Sequence, residues 1–145
     1  MQPPLNAQVR ALTSLAPRLD RVRLRPRILF VSGDAELRAA VTRALEGEEY
    51  EVAAVPHSGH ALLRCRTAAY DLLVADLSGP DMSGPTLAEL VRRQCPHIRS
   101  LFLGHPGTLD RVDNLLVAPF TCQELVARVG AALSETAPVR TAHPA

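Results

Sequence analysis

The sequence predicts an α/β fold in which helices cover both faces of a five-stranded parallel sheet. Short apolar runs that do not alternate with polar residues recur along the chain, and such runs are typical of strands buried on both faces. Segments with apolar residues at helical spacing separate them, and this alternation predicts parallel strands joined by right-handed crossovers. The 145 residues suffice for one domain with a sizeable core.

The first half of the chain holds two predicted strands and two predicted helices. Residues 27–31 are the first strand, and the polar turn after it begins a helix that ends at Gly47. Residues 50–55 are the second strand, which ends at Pro56 because Pro cannot donate to a strand ladder. Ser58 is predicted as the N-cap of the next helix, since Ser is a favoured capping residue.

The second half repeats the alternation with three further strands. The third strand is predicted at residues 72–76, and the helix after it stops before Pro96. The fourth and fifth strands are predicted at residues 100–103 and 115–117. Thr121 is predicted to cap the last helix, whose apolar residues again recur at three- and four-residue spacing.

The third strand and the loop after it, Asp71–Gly84 (DLLVADLSGPDMSG), are the most informative stretch. Its apolar run ends in Asp76, and open α/β sheets place their sites at the carboxyl ends of strands. The stretch resembles the phosphoacceptor loop of the response regulator receiver domains (the CheY-like family). In that family an Asp ends the third strand, and a Pro and a Gly follow at the spacing of Pro80 and Gly84. The resemblance covers roughly residues 27–133.

The resemblance implies a flavodoxin-like doubly wound sheet with strand order 2-1-3-4-5. In that order Ser32, Gly33 and Asp76 meet at the switch point between the first and third strands. The interval from Gly104 to Ala118 is shorter than in the family by about two helical turns. We therefore predict a shortened or missing fourth helix, and with it an altered form of the surface that the family commonly uses for output.

Most residues that the family uses for phosphoryl transfer are replaced. In the family an acidic pair follows the first strand, a hydroxyl residue ends the fourth, an aromatic residue lies on the fifth, and a Lys ends it. At those positions this sequence has, in the same order, Ser32 and Gly33, Gly104, Leu115, and Ala118. Transfer to a carboxylate depends on electrostatic stabilisation, so this resemblance implies a degenerate receiver, or pseudo-receiver.

One carboxylate, Asp76, remains at the phosphoacceptor position. Asp34 and Asp76 are the only weak candidates for a cation site, and Mg²⁺ prefers several oxygen ligands, so no cofactor is expected. The resemblance also implies that the peptide bond before Pro119 is cis. His57 and His60 are close enough in sequence for one metal ion, but no third ligand accompanies them.

Composition excludes several classes of protein. The chain has no Lys, which removes a Walker A loop, a Schiff-base Lys and any catalytic Lys. Cys65, Cys95 and Cys122 lack a C-x-x-C spacing and are predicted to be free thiols in a reducing compartment, the cytoplasm. We find no membrane span, no secretory signal and no complete catalytic set, so an enzyme is not predicted.

Charge divides the chain into an N-terminal arm and a domain. Residues 1–27 hold six Arg and one Asp, whereas residues 28–145 hold ten Arg and fourteen acidic residues. The predicted organisation is an Arg-rich amphipathic arm over residues 1–26, a receiver-like domain over 27–134 and a disordered tail over 135–145. The arm is expected to pack on its own domain, on a second copy in a homodimer, or on a partner.

The sequence leaves three alternative functions. The first is a phosphorylation-independent protein-interaction module in bacterial two-component signalling, with signalling proteins as partners. The second is an atypical receiver that is still phosphorylated on Asp76. The third is a nucleic-acid-associated regulator that binds phosphates through the Arg residues of its arm.

Overall fold

The computed structural model describes residues 25–79, 81–107 and 112–134. Within them, strands and helices alternate as the sequence predicts, beginning with a strand. The elements are β1 (Arg27–Val31), α1 (Ala35–Glu46), β2 (Glu51–Val55), α2 (Ser58–Thr67), β3 (Leu72–Asp76), α3 (Gly84–Gln94), β4 (Arg99–Gly104), β5 (Leu115–Val117) and α4 (Cys122–Ser134).

The strands form one parallel sheet in the order β2-β1-β3-β4-β5, which confirms the predicted topology. At the carboxyl edge, Val31 pairs with Val55 on one side and with Ala75 on the other. Asp76 pairs with Leu103 of β4. The sheet therefore places the end of β3 between the ends of β1 and β4, where the sequence locates the candidate site.

Each face of the sheet carries its own apolar core. Leu29 of β1 and Leu73 of β3 point to the face covered by α2 and α3. Phe30 and Val74 point to the opposite face, covered by α1 and α4. All four side chains have no exposed surface. Burial on both faces explains why these strands are continuous apolar runs.

The helix starts follow ordinary capping chemistry, with one exception to our prediction. Thr121 and Glu124 form a reciprocal capping box at α4, with N–H to side-chain oxygen distances of 2.8 and 3.0 Å. The prediction that Ser58 caps α2 was wrong. His57 is the N-cap, and its Nδ1 accepts from the backbone N–H of His60 at 3.3 Å. Ser58 is the first helical residue, and its hydroxyl is bound to a distant carboxylate instead.

The connection from β4 to β5 is short, as the sequence predicts. Residues 105–107 and 112–114 carry no helix, and only residues 108–111 of this connection lie outside the described part of the chain. Asn114 adopts a left-handed backbone conformation (φ 58°) directly before β5, and its side chain donates to the Ser100 carbonyl at 3.2 Å. A fourth helix of the family's length has no room here.

Residues 1–24 of the arm and the whole predicted tail, residues 135–145, lie outside the described residues. Among the described helices, none is long and apolar enough to cross a membrane.

Candidate functional site

The end of β3 borders a small cavity at the carboxyl edge of the sheet, here called the acceptor cavity. Its lining includes Ser32, Gly33 and Asp76, so the structure brings together the three residues that the sequence places at the switch point. Its volume is about 10 Å³, roughly the space of one water molecule. Gly33 is exposed and Asp76 is half-buried, so the site is open to solvent on that side. Among the described residues, Asp76 is the only acidic one that lines the cavity.

The hydroxyl, carbonyl and N–H of Ser32 all take part in hydrogen bonds around the turn after β1. Ser32 is 2% exposed, and its hydroxyl accepts from the backbone N–H of Asp34 at 3.1 Å. Its carbonyl accepts from the Arg38 guanidinium at 2.6 Å, and its N–H donates to the Val55 carbonyl at 3.1 Å. The residue at the family's first acidic position thus organises the turn after β1.

Asp34 also has a structural role, as the N-cap of α1. One carboxylate oxygen accepts from the backbone N–H groups of Glu36 and Leu37, at 3.0 and 3.1 Å, and so caps α1. Asp34 is close enough to Asp76 to raise the pKa of that carboxyl. It therefore adds negative charge at the site while its own oxygen is engaged elsewhere.

The loop after β3 is fastened to the loop after β2. Asp81 accepts from the Ser58 hydroxyl at 3.0 Å and from the Ser58 backbone N–H at 3.2 Å. Ser58 is 3% exposed and lines the acceptor cavity. Desolvation alone would raise the pKa of Asp81, but the hydrogen bonds from Ser58 and from the Asp81 backbone, together with the charge of His57, leave that pKa below its usual value. We call this pair of contacts the Ser58–Asp81 latch.

The other replaced positions lie on β4, on β5 and directly after β5, as the resemblance implies. Gly104 ends β4 and is buried, and its carbonyl accepts from the Ala118 N–H at 2.8 Å. The peptide bond from Ala118 to Pro119 is cis. Leu115 is half-buried against the core of the α2/α3 face. None of these side chains supplies a hydroxyl or a cation.

Burial dominates the electrostatics of Asp76. Desolvation raises the pKa of its carboxyl, the charge of His105 lowers it, and the charge of Asp34 raises it further. The net direction is upward, so ionised Asp76 is less favourable in the fold than in the unfolded chain. His105 follows β4 directly and was not among the site residues predicted from the sequence.

Replacing Asp76 with Asn is expected to stabilise the protein at neutral pH. A raised folded-state pKa means that the folded chain binds more protons between the unfolded and folded pKa values, so stability falls as pH rises through that window. Asp76 is partly exposed, so solvent screening limits the gain to at most about 1 kcal/mol, a few degrees in Tm. Thermal unfolding from pH 3 to 8 measures it.

The two proteins should converge below about pH 3, where the carboxyl is protonated in both states. The exposed Asp113→Asn variant removes the same charge and serves as the matched control. A pH-independent difference between Asp76→Asn and the unaltered protein would contradict burial as the cause.

The remaining candidates do not gather into a metal centre. No group of three His, Cys, Asp or Glu side chains suited to a metal ion occurs in residues 25–79, 81–107 and 112–134. The rings of His57 and His60 stack with centroids 5.0 Å apart, at the exposed start of α2. Cys65 and Cys95 are buried free thiols, and Cys122 is an exposed one.

Comparison with known proteins places the chain in a family. Residues 28–122 match the response regulator receiver domain. The DNA-binding response regulator MtrA of Mycobacterium tuberculosis is 32% identical over 117 residues, covering 76% of this chain and 51% of MtrA. The transcriptional regulatory protein TrcR of the same species is 30% identical over 128 residues, covering 82% of this chain and 50% of TrcR. The chain thus spans about half the length of these relatives.

Solved structures agree on the fold. A CheY-like receiver domain protein from Methanospirillum hungatei has a TM-score of 0.68 at 23% identity, over 75% of this chain and 94% of that one. The receiver domain of the hybrid histidine kinase CckA has a TM-score of 0.66 at 28% identity, over 74% of this chain and 99% of that one. The chain belongs to the response regulator receiver domain family. It is a receiver module of two-component signalling.

Proposed function

We propose that this receiver acts as a phosphorylation-independent interaction module, a pseudo-receiver. The observation that supports this most strongly is the set of residues around the acceptor cavity. In the part of the chain that the structure describes, Asp76 is the only acidic residue that lines it, and neither Ser32 nor Gly33 offers a carboxylate. Mg²⁺ prefers several oxygen ligands, so a divalent cation would bind weakly to this lining.

Charge at the site supports the same proposal. Phosphoryl transfer to Asp76 adds negative charge beside a partly buried carboxylate, and Asp34 already opposes ionisation there. Preorganised cations are the main catalytic contribution in such reactions. The position that carries a Lys in the family is Ala118, and Gly104 supplies no hydroxyl, so a metaphosphate-like transition state would find few partners.

The Ser58–Asp81 latch supports a fixed loop in place of a switching one. It joins two loops across 23 residues of sequence and is reinforced by an antiparallel bridge between Ser78 and Ser83. In this proposal Asp76 serves the scaffold, and signalling partners recognise one constitutive conformation. The partner surface is expected to differ from the family's common output face, because the β4–β5 connection is short.

One observation favours the alternative, an atypical receiver phosphorylated on Asp76. The charge of His105 reaches Asp76 and lowers its pKa, as a cation that assists transfer would. The third function, nucleic-acid binding through the arm, depends on Arg residues outside the described part of the chain. Two relatives are named as a DNA-binding and a transcriptional regulator, and that description remains theirs.

Intact-mass spectrometry after incubation with acetyl phosphate, with and without Mg²⁺, tests the proposal. The expected result is no mass gain in either condition. A gain of one phosphoryl group that requires Mg²⁺ and is lost in Asp76→Asn would overturn it and establish the alternative. A gain that persists in Asp76→Asn would indicate modification elsewhere and would leave Asp76 without a phosphoacceptor role.

A further inference from the structure

A second, larger cavity lies at the end of the sheet where the strands begin, opposite the end that carries Asp76. It is a cleft of about 400 Å³ between the C-terminal ends of α2 and α3, lined by residues 67–71 and 94–98 with Arg25, Arg27 and Glu51. We call it the basal cleft. Its volume lies within the range of roughly 300–1,000 Å³ that is typical of ligand-binding clefts.

The floor of the basal cleft is the outer surface of the apolar core. Tyr70, Cys95 and Ile98 line it, and each is less than 9% exposed and belongs to the core of the α2/α3 face. Ala68 and Ala69 add small apolar walls. Apolar side chains placed here would extend an existing core, which is the kind of burial that contributes most to stability.

Three of the four charged side chains that line the basal cleft already have partners. The Arg27 side chain lies 3.4 Å from Glu51, and the Arg27 N–H donates to the Asp71 carboxylate at 2.8 Å. Two Arg and two acidic residues line the cleft, so their formal charges cancel. Charge therefore does not select the occupant, and apolar contact has to hold it.

The chain itself supplies an occupant at the rim of this cleft. Arg25 lines the cleft and is the first residue of the described structure, so the preceding 24 residues continue from that point. Leu19, Val22 and Leu24 lie within six residues of Arg25, a reach of at most about 20 Å. A tether this short gives an effective concentration in the millimolar range, far above that of a second copy in solution.

We propose that the basal cleft is the docking site of the chain's own N-terminal arm, with Leu19, Val22 and Leu24 packed on Tyr70, Cys95 and Ile98. The arm is thereby fixed at the end of the sheet where the strands begin, far from Asp76. Its Arg residues are then held on the receiver surface, where they form part of the face offered to partners. This inference stands independently of whether Asp76 accepts a phosphoryl group.

Thiol labelling provides the test, because one cysteine lies at the basal cleft and another lies on α4, outside the cleft. Cys95 lines the basal cleft, Cys122 is exposed on α4, and Cys65 is buried, with burial raising its pKa to about 12. The full chain is treated with iodoacetamide, and the labelling rate of each cysteine is measured by peptide mass spectrometry. The variants are Leu19→Asn/Val22→Asn/Leu24→Asn and, as the matched control, Arg21→Gln/Arg23→Gln.

The apolar variant is expected to raise the labelling rate of Cys95 by about tenfold or more, with Cys122 unchanged, because a docked arm restricts access to local opening. The Arg variant should label Cys95 at the unaltered rate. Equal Cys95 rates in all three proteins would overturn the proposal, and so would an increase caused by the Arg variant alone.

Two further readouts keep these outcomes interpretable. A cooperative urea unfolding transition in each variant shows that the fold is intact, whereas Cys65 labelling would not, because the Cys65 thiol lies beside that of Cys95. Labelling of the unaltered chain is repeated over a hundredfold range of protein concentration. A Cys95 rate that falls as concentration rises would assign the cleft to a second copy and overturn docking within one chain.

Discussion

The double variant Gly33→Asp/Ala118→Lys is expected to gain Mg²⁺-dependent phosphorylation of Asp76, at least about 100-fold faster than the unaltered protein. The first change puts a second free carboxylate beside Asp76, and the second puts a cation at the end of β5. Gly33 is exposed, and an added Cβ would come no closer than 4.0 Å to any atom, the Pro56 carbonyl oxygen. The site can therefore accept the new side chain without strain.

Transfer from acetyl phosphate, followed by intact mass over time at several Mg²⁺ concentrations, measures this gain. The matched control is Gly33→Asn/Ala118→Gln, which has nearly the same shape without the added charges and should behave as the unaltered protein. Adding Asp76→Asn to the charged variant should abolish the mass gain. If the charged variant folds and binds Mg²⁺ but Asp76 is still not phosphorylated, the missing charges are not the cause of inactivity. The loop held closed by the Ser58–Asp81 latch would then be the cause.

The fold was predictable because its signals are local. Leu73 and Val74 are adjacent and point to opposite cores, so a strand buried on both faces has to be apolar at every position. Pro96 stops its helix by disfavouring a helical backbone at the residue before it, Cys95, which is the C-cap of α3. The short β4–β5 connection is a matter of counting residues. Each of these features can be seen in fewer than about fifteen consecutive residues.

The contacts that shape the site were not predictable, because they join distant segments. Ser58 looked like an N-cap, but Asp81 of another loop competes for its hydroxyl, and His57 caps the helix instead. The bond from Arg38 to the Ser32 carbonyl and the charge of His105 at Asp76 depend on how α1 and β4 are placed against the sheet. No periodicity or capping rule encodes such pairs, since they depend on three-dimensional packing.

Replacing Gly84 with Ala is expected to lower the Tm by roughly 5–15 °C, through a loss of about 1–3 kcal/mol of unfolding free energy. An added Cβ at Gly84 would lie 2.6 Å from the Asp76 carbonyl oxygen and 2.8 Å from Cδ1 of Phe102. The carbonyl belongs to the end of the buried strand β3 and cannot move away at low cost. The sequence marks this Gly only by its spacing from Asp76, and the close approach of α3 to β3 is the physical reason for it.

Gly130→Ala is the matched control, because its added Cβ would meet nothing closer than the Tyr50 hydroxyl at 3.7 Å. Gly130 lies inside α4, where Ala is the better helix former, so this variant should gain up to about 1 kcal/mol. Thermal and urea unfolding of both variants give opposite signs if backbone contact decides the outcome at Gly84. A Gly84→Ala variant as stable as the unaltered protein would mean that α3 can shift on the sheet, and the acceptor cavity would then not be held at its present size.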